Sequence, residues 1–286
     1  MPLTTTGELV TRAAAARSAV ASFNVITLEH AEAVVAGAES VRAPVVLQIS
    51  ENAVKYHGGR LLPLARGAAA CAEQAPVPVA LHLDHVCSDA LLHQAADAGF
   101  SSVMYDAARL PYEENLAATR AAVDWAHSRG LWIEAELGRI GGKNGGAPLD
   151  AHAPGARTDP DEARVFVADT GVDALAVAIG SSHAMTTRTA ALDQALLKRL
   201  SAALDVPLVL HGSSGVPDGE LTAAIAGGIT KVNVGTALNI AFTGAVRDFL
   251  AAHPDAVDPR GCLTVAREAM TGTVARILRT LGAATA

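Results

Sequence analysis

Short apolar runs rich in Val, Ile and Leu recur along the chain, each followed by a stretch with helical spacing. Eight stand out, at 21–25, 44–50, 78–84, 101–106, 131–137, 174–180, 207–212 and 231–235. They show little polar alternation, as expected of strands buried on both faces of a parallel sheet. Between them lie Ala-rich segments with the helical period, as at 28–42, 115–129 and 192–204. Alternating strand and helix imply an α/β fold of βαβ units with right-handed crossovers. Eight such units close naturally into a barrel. The competitor is an open doubly wound sheet. Its first βα turn usually reads G-x-G-x-x-G, and Phe23-Asn24-Val25-Ile26-Thr27 does not. The pattern therefore predicts one (β/α)8 TIM-barrel domain over residues 1–286.

Three segments fall outside the eight units. Helical stretches at 239–252 and 258–282 follow the last strand and are expected to cap the barrel or build an oligomer interface. The Gly-rich segment 138–158 is long for a βα loop, which predicts a functional lid or disorder.

Composition narrows the function. Half of the 286 residues are hydrophobic and 18% are charged, enough apolar material for a large core. Aromatics are only 3%, so small aliphatic side chains must fill the interior. The net charge is −7 without a Lys/Arg cluster, which argues against nucleic acid and anionic membrane surfaces as partners. No apolar run is long enough to span a bilayer, and residues 1–20 lack the basic head and apolar stretch of a signal peptide. Cys71, Cys87 and Cys262 are too far apart for a CxxC pair or a disulfide framework. A reduced, cytoplasmic protein is the expectation.

Barrel active sites form at the C-terminal ends of the strands, and those ends carry an unexpected ring of polar residues. Asn24, Ser50, Asp84, His85, Asp106, Glu134, Glu136, His183, His211, Gly212 and Asn233 all fall there. One such histidine is read most simply as capping its strand. His85, His183 and His211, at the ends of strands three, six and seven, would meet at one mouth, and three neutral imidazoles with an open position make a catalytic zinc site. His82 is expected in the packed layer instead. Asp84, beside His85, is placed either to shuttle a proton to a developing alkoxide or to orient an imidazole. Glu134 and Glu136 share one face of an apolar strand and would line the barrel as a metal ligand and a hydrogen-bond acceptor. Lys231 is expected to pack outward or to pair.

Two small, donor-rich turns carry a second signal. Gly212-Ser213-Ser214-Gly215 follows strand seven, and Asn233-Val234-Gly235-Thr236 ends strand eight and enters a helix. Barrels often bind phosphate at these positions, through backbone N–H groups and a helix N-terminus.

Taken together, these blocks resemble the class II, zinc-dependent fructose-bisphosphate aldolases, nearest the tagatose-bisphosphate branch. The resemblance covers almost the whole chain. It rests on Leu81-His82-Leu83-Asp84-His85, Ser102-Val103-Met104-Tyr105-Asp106, Glu134-Ala135-Glu136-Leu137-Gly138, Leu210-His211-Gly212-Ser213-Ser214-Gly215 and Lys231-Val232-Asn233-Val234-Gly235-Thr236. It implies that His85, His183 and His211 bind Zn2+, with Asp106 and Glu136 at positions that hold an alternative or second metal. It implies that Asp84 exchanges the proton of the aldehyde-derived hydroxyl. Gly212, Ser214, Asn233, Gly235 and Thr236, helped by Asn24 and Ser50, would hold dihydroxyacetone phosphate, often with Na+ or K+ nearby. A ketose bisphosphate of the fructose or tagatose type would be cleaved reversibly, by a homodimer or homotetramer.

Two departures from the family pattern bear on the substrate. Gly141-Gly142-Lys143-Asn144-Gly145-Gly146 has Asn144 where the family carries the acid that deprotonates the ketone. Asp150, His152 and Asp159 are the candidate replacements. Ala184 stands where Gly normally follows the metal-binding histidine, and its methyl would narrow the pocket. An unusual aldehyde, a phosphosugar isomerase and a silent phosphosugar-binding barrel are the alternatives.

Overall fold

The computed structural model describes residues 3–138 and 156–282. Eight parallel strands close into a barrel in chain order: β1 (Val20–Asn24), β2 (Val45–Ser50), β3 (Val79–Val86), β4 (Ser102–Tyr105), β5 (Trp132–Leu137), β6 (Ala174–Val177), β7 (Leu208–Leu210) and β8 (Ile229–Val234). The expected fold and strand order are therefore the observed ones.

Each strand's alternate residues face two different apolar environments. Phe23, Leu47, Leu83, Ile133, Leu175 and Val232 point outward into the main core, under the helices. The inward side chains form separate small clusters, Val20–Val46–Ala80 and Ala174–Ala176–Val209. Both faces are buried, which removes the polar alternation of a half-exposed strand.

The helices around the barrel are α2 (Leu28–Val41), α3 (Glu51–Tyr56), α4 (Leu62–Gln74), α5 (Asp89–Leu92), α6 (Ala95–Ala98), α7 (Tyr112–Ser128), α8 (Pro160–Thr170), α9 (Gln194–Ala203) and α10 (Asp218–Ala226). Helix α1 (Thr6–Ala15), absent from the sequence reading, precedes β1 and packs Leu9, Val10 and Ala13 on Val20, Val46 and Ala80. It plugs the end of the barrel opposite the strand C-termini. After β8, α11 (Thr236–Ala252) leads into α12 (Pro259–Thr280), which crosses α2 closely. A Cβ on Gly37 would lie 2.6 Å from Val274 Cβ, so only glycine permits that approach. Among the described residues, no helix is long and apolar enough to cross a membrane.

Six strands end away from their expected C-terminal residue, β1, β4 and β8 by one, β3 and β7 by two and β6 by three, and β3 and β6 show the cause. β3 continues past Asp84 to Val86 through a register shift between Leu83 and Val86, with His85 at φ 50°. That irregularity, rather than fraying, lets the adjacent Asp84 and His85 both reach the mouth. β6 stops at Val177 instead of 180, because Ala178 leaves the ladder to pair with Thr158 (N–H to Thr158 Oγ1, 2.8 Å; C=O from Thr158 N–H, 3.1 Å).

Candidate active site

The strand C-termini open into a cavity of about 300 Å³. Its lining includes Asn24, Ser50, Asp84, His85, Asp106, His183, Gly212, Ser213, Ser214, Asn233, Gly235 and Thr236, all expected from the sequence. His211 and Glu136 lie just beneath it, almost fully buried. Val234 does not face it. Its side chain is in the outer core, so only its backbone is available to a ligand.

Three histidines and one acid converge. His85, Glu136, His183 and His211 each offer one ligand-type atom, and these atoms all lie within 4.8 Å of one another. The rings of His85 and His211 are 4.9 Å apart between centroids, His85 and His183 5.2 Å, and His183 and His211 6.0 Å. Three imidazoles and a carboxylate are the donors that a zinc-like divalent ion takes, so the residues present fit such an ion. Asp106 lies outside this foursome. Its carboxylate accepts a hydrogen bond from His85 Nδ1 at 2.9 Å, which leaves Nε2 for the group.

The loop bearing His183 is tied to the β7 turn. Ala190 N–H bonds Gly215 C=O at 3.0 Å, and the Arg188 guanidinium bonds Val216 C=O at 2.7 Å. A Cβ on Gly212 would meet the Ser182 backbone at 2.7 Å, so glycine allows this turn to lie against the His183 loop. Ala184 lines the cavity at φ 59°, a left-handed conformation unfavourable for a residue with a Cβ.

Asp84 is buried beside the histidines and gripped from both sides. Gln48 Nε2 and Asn233 Nδ2 each donate to it at 3.3 Å. Burial opposes its ionisation, but the imidazoles of His85, His82 and His211 outweigh burial and hold it well below the usual carboxylate range. Gln48 also donates a short bond to Asn24 Oδ1.

Beneath the mouth lies a polar layer. His211 Nδ1 lies 2.8 Å from Glu136 Oε2 and its Nε2 2.8 Å from Glu134 Oε1, both within hydrogen-bond distance. Burial disfavours charge on the ring, yet the two carboxylates raise it to about 9. Glu134 is likewise penalised by burial but drawn down to about 2 by the Lys231 ammonium and by His211. Lys231 corrects the expectation of an outward side chain: it points into the barrel, fully buried, and bonds Glu134 at 2.9 Å. Its other expected behaviour, pairing, is what it does. His82 is fully buried as expected, on Ser102 Oγ at 2.7 Å, and burial and Lys231 depress its basicity.

The donor-rich turns are built as follows. Ser213 Oγ donates to Asn233 C=O at 2.5 Å, and Ser214 Oγ accepts from Ala237 N–H at 3.0 Å in the first turn of α11. That first turn holds no acidic residue. Ser50 caps α3 by accepting from Ala53 N–H at 3.2 Å.

The sequence reading missed Gln48, Asn52, Lys55, Arg109 and Asn239, which also line the cavity. Gln48 had a signal: it is the polar residue of an apolar run, two before Ser50 and so on the same strand face. Of the candidate loop bases, Asn144's neighbours Asp150 and His152 lie outside the described residues. Asp159 is described, exposed, and engaged as the N-cap of α8, accepting from Asp161 N–H at 2.9 Å and Glu162 N–H at 3.0 Å.

Known proteins agree with this architecture. The family model described as "Fructose-bisphosphate aldolase class-II" matches residues 4–286. The fructose-bisphosphate aldolase of Geobacillus stearothermophilus is 39% identical over 285 residues, covering 99% of this chain and 98% of the relative. The crystal structure of the YdjI aldolase from Escherichia coli K12 superimposes with a TM-score of 0.83 at 32% identity, covering 99% of this chain and 98% of that one. Fructose-bisphosphate aldolase from Campylobacter jejuni shares the fold, with a TM-score of 0.82 at 24% identity over 99% and 96% of the two chains. The chain therefore belongs to the class II fructose-bisphosphate aldolase family and is an aldolase, a carbon–carbon lyase.

Proposed function

We propose that the enzyme is a metal-dependent aldolase that reversibly cleaves a phosphorylated ketose to dihydroxyacetone phosphate and an aldehyde. The observation that carries this reading is the convergence of His85, His183, His211 and Glu136 within 4.8 Å, beside the buried carboxylate of Asp84. Those residues would hold a divalent ion such as Zn2+, which would supply Lewis acidity toward the ketone oxygens.

The chain's own residues do the rest. The Gly212-Ser213-Ser214 turn, Gly235 and Thr236 receive the ketone phosphate through backbone N–H groups beside the α11 N-terminus, and a monovalent cation such as Na+ or K+ would balance charge there. Asn24, Ser50 and Asn233 bond the sugar hydroxyls. Asp84, kept ionised and fixed by Gln48 and Asn233, takes the hydroxyl proton in cleavage and returns it in condensation. Asp106 stands behind His85 and orients its ring.

The family resemblance suggests a homodimer or homotetramer. Ile240 and Leu250 on α11, 46% and 44% exposed, offer apolar surface for the contact, and the mass in solution tests it.

The deciding assay for the substrate is dihydroxyacetone phosphate release from fructose- and tagatose-1,6-bisphosphate, followed by a screen of aldehydes in the condensation direction. Release from either sugar, or condensation with any aldehyde, supports the reading. Tight binding of dihydroxyacetone phosphate without turnover on any of them refutes it.

A further inference from the structure

We propose that Lys231 is a positioning residue that sets two functional groups at once: the ring tautomer of His211, through Glu134, and the amide orientation of Asn233 against Asp84. The inference rests on the metal reading above.

Lys231 sits on β8 and Glu134 on β5, on inward strand positions below the mouth, and neither has any solvent exposure. Lys231 Nζ donates to Glu134 Oε2 at 2.9 Å and to Asn233 Oδ1 at 2.8 Å. Each bond forces the next. An ammonium only donates, so the Asn233 amide must turn its oxygen to Lys231. Its nitrogen then faces Asp84 Oδ1, at 3.3 Å. On the other branch, Glu134 Oε1 lies 2.8 Å from His211 Nε2. An ionised carboxylate only accepts, so Nε2 must carry the hydrogen. The opposite ring edge, Nδ1, is 2.8 Å from Glu136, a member of the metal-capable foursome. Nδ1 is therefore the nitrogen left for the ion.

Stability alone does not explain the arrangement. A buried ion pair gains little over well-packed apolar side chains, because desolvation consumes most of the attraction. What the pair contributes is direction: one cation reaches two strands and points one donor at each of two intermediary side chains.

The first test uses the intact, zinc-loaded protein. Histidine-selective 15N spectra are expected to show the His211 ring protonated at Nε2 and bound through Nδ1. The second compares Glu134→Gln, Lys231→Met and the double variant. In Glu134→Gln, one amide oxygen cannot serve both Lys231 and His211, so Zn2+ affinity measured by chelator competition is expected to fall roughly 10- to 100-fold. In Lys231→Met, kcat is expected to fall more than KM changes, because Asn233 is no longer forced to donate to Asp84. The double variant removes both charges and serves as the folding control, with a melting temperature near that of the wild type. The proposal fails if wild-type His211 carries its proton on Nδ1, or if the folded double variant keeps Zn2+ affinity and kcat within about twofold. Should no variant fold, the wild-type spectrum decides. Wild-type protein that binds no Zn2+ at all overturns the metal reading instead.

Discussion

Asp106 holds His85 from behind: Nδ1 of the ring donates to the carboxylate at 2.9 Å, while the other edge of the ring faces His183 and His211. Carboxylates in this position fix ring orientation and raise the basicity of the ligating nitrogen. Asp106→Ala is expected to weaken metal binding by roughly 10- to 100-fold without unfolding the barrel. Competition against a chromogenic chelator measures the affinity, and circular dichroism checks the fold.

The proton transfer proposed for Asp84 predicts a different kinetic signature. Asp84→Asn keeps the shape and one acceptor oxygen but removes the carboxylate to which proton transfer is assigned by the proposal. The expected result is a loss of about 100- to 10,000-fold in kcat. The KM of the ketose is expected to change little, because the Ser213-Ser214 and Gly235-Thr236 turns are untouched. Steady-state kinetics of cleavage separate the two parameters. A variant that retains wild-type kcat assigns the proton transfer elsewhere.

Ala184 lines the cavity at φ 59°, in the region where a Cβ costs about 1–2 kcal/mol. Ala184→Gly relieves that strain and adds unfolded-state entropy of about 0.4–1 kcal/mol, so the melting temperature is expected to move little. Removing the methyl widens the cavity beside the proposed phosphate site, and the KM for a ketose bisphosphate is expected to fall by up to about tenfold. An unchanged KM would mean that the methyl does not touch the substrate.

His30 predicts how stability depends on pH. It lies on α2, 4% exposed, with its ring stacked on Phe242 at 5.3 Å, and its buried Nε2 has no hydrogen-bond partner. Burial lowers its pKa to about 4, only partly opposed by the neighbouring Glu29 carboxylate. Glu29 itself is held ionised by Thr27 and, more weakly, by His30 and by Arg267 of α12. In the unfolded chain His30 titrates near 6.5. The depressed folded value means that stability is unaffected above that pH and falls as pH drops from 6.5 toward 4, by up to about 3 kcal/mol. His30→Gln is expected to lose correspondingly less between pH 7 and pH 4 in urea unfolding. Parallel losses in the two proteins would contradict the assignment.

The barrel and its mouth were readable because strand ends are where an apolar run meets a polar residue, as at Leu83-Asp84-His85 and Leu210-His211-Gly212. The layer below was not. Both faces of a barrel strand are buried, so period 2 does not distinguish an inward Lys231 from an outward one. Its partner Glu134 is 97 residues away, a pairing that only closure of β5 and β8 around one interior creates. Helix α1 escaped for a related reason: its apolar face, Leu9, Val10 and Ala13, has meaning only against the barrel end it seals. The end of β6 was misplaced because Ala178 and Ile179 are as apolar as a strand, and what removes them from the ladder is Thr158, from another part of the chain.

The most direct test is metal content set against activity in one preparation. Elemental analysis of the purified enzyme is expected to find one zinc-like divalent ion per chain. Dialysis against a strong chelator is expected to abolish release of dihydroxyacetone phosphate, and added Zn2+ to restore it. His85→Ala, His183→Ala and His211→Ala proteins are each expected to lose both ion and activity. Metal-free enzyme that cleaves its ketose at the full rate would contradict the account.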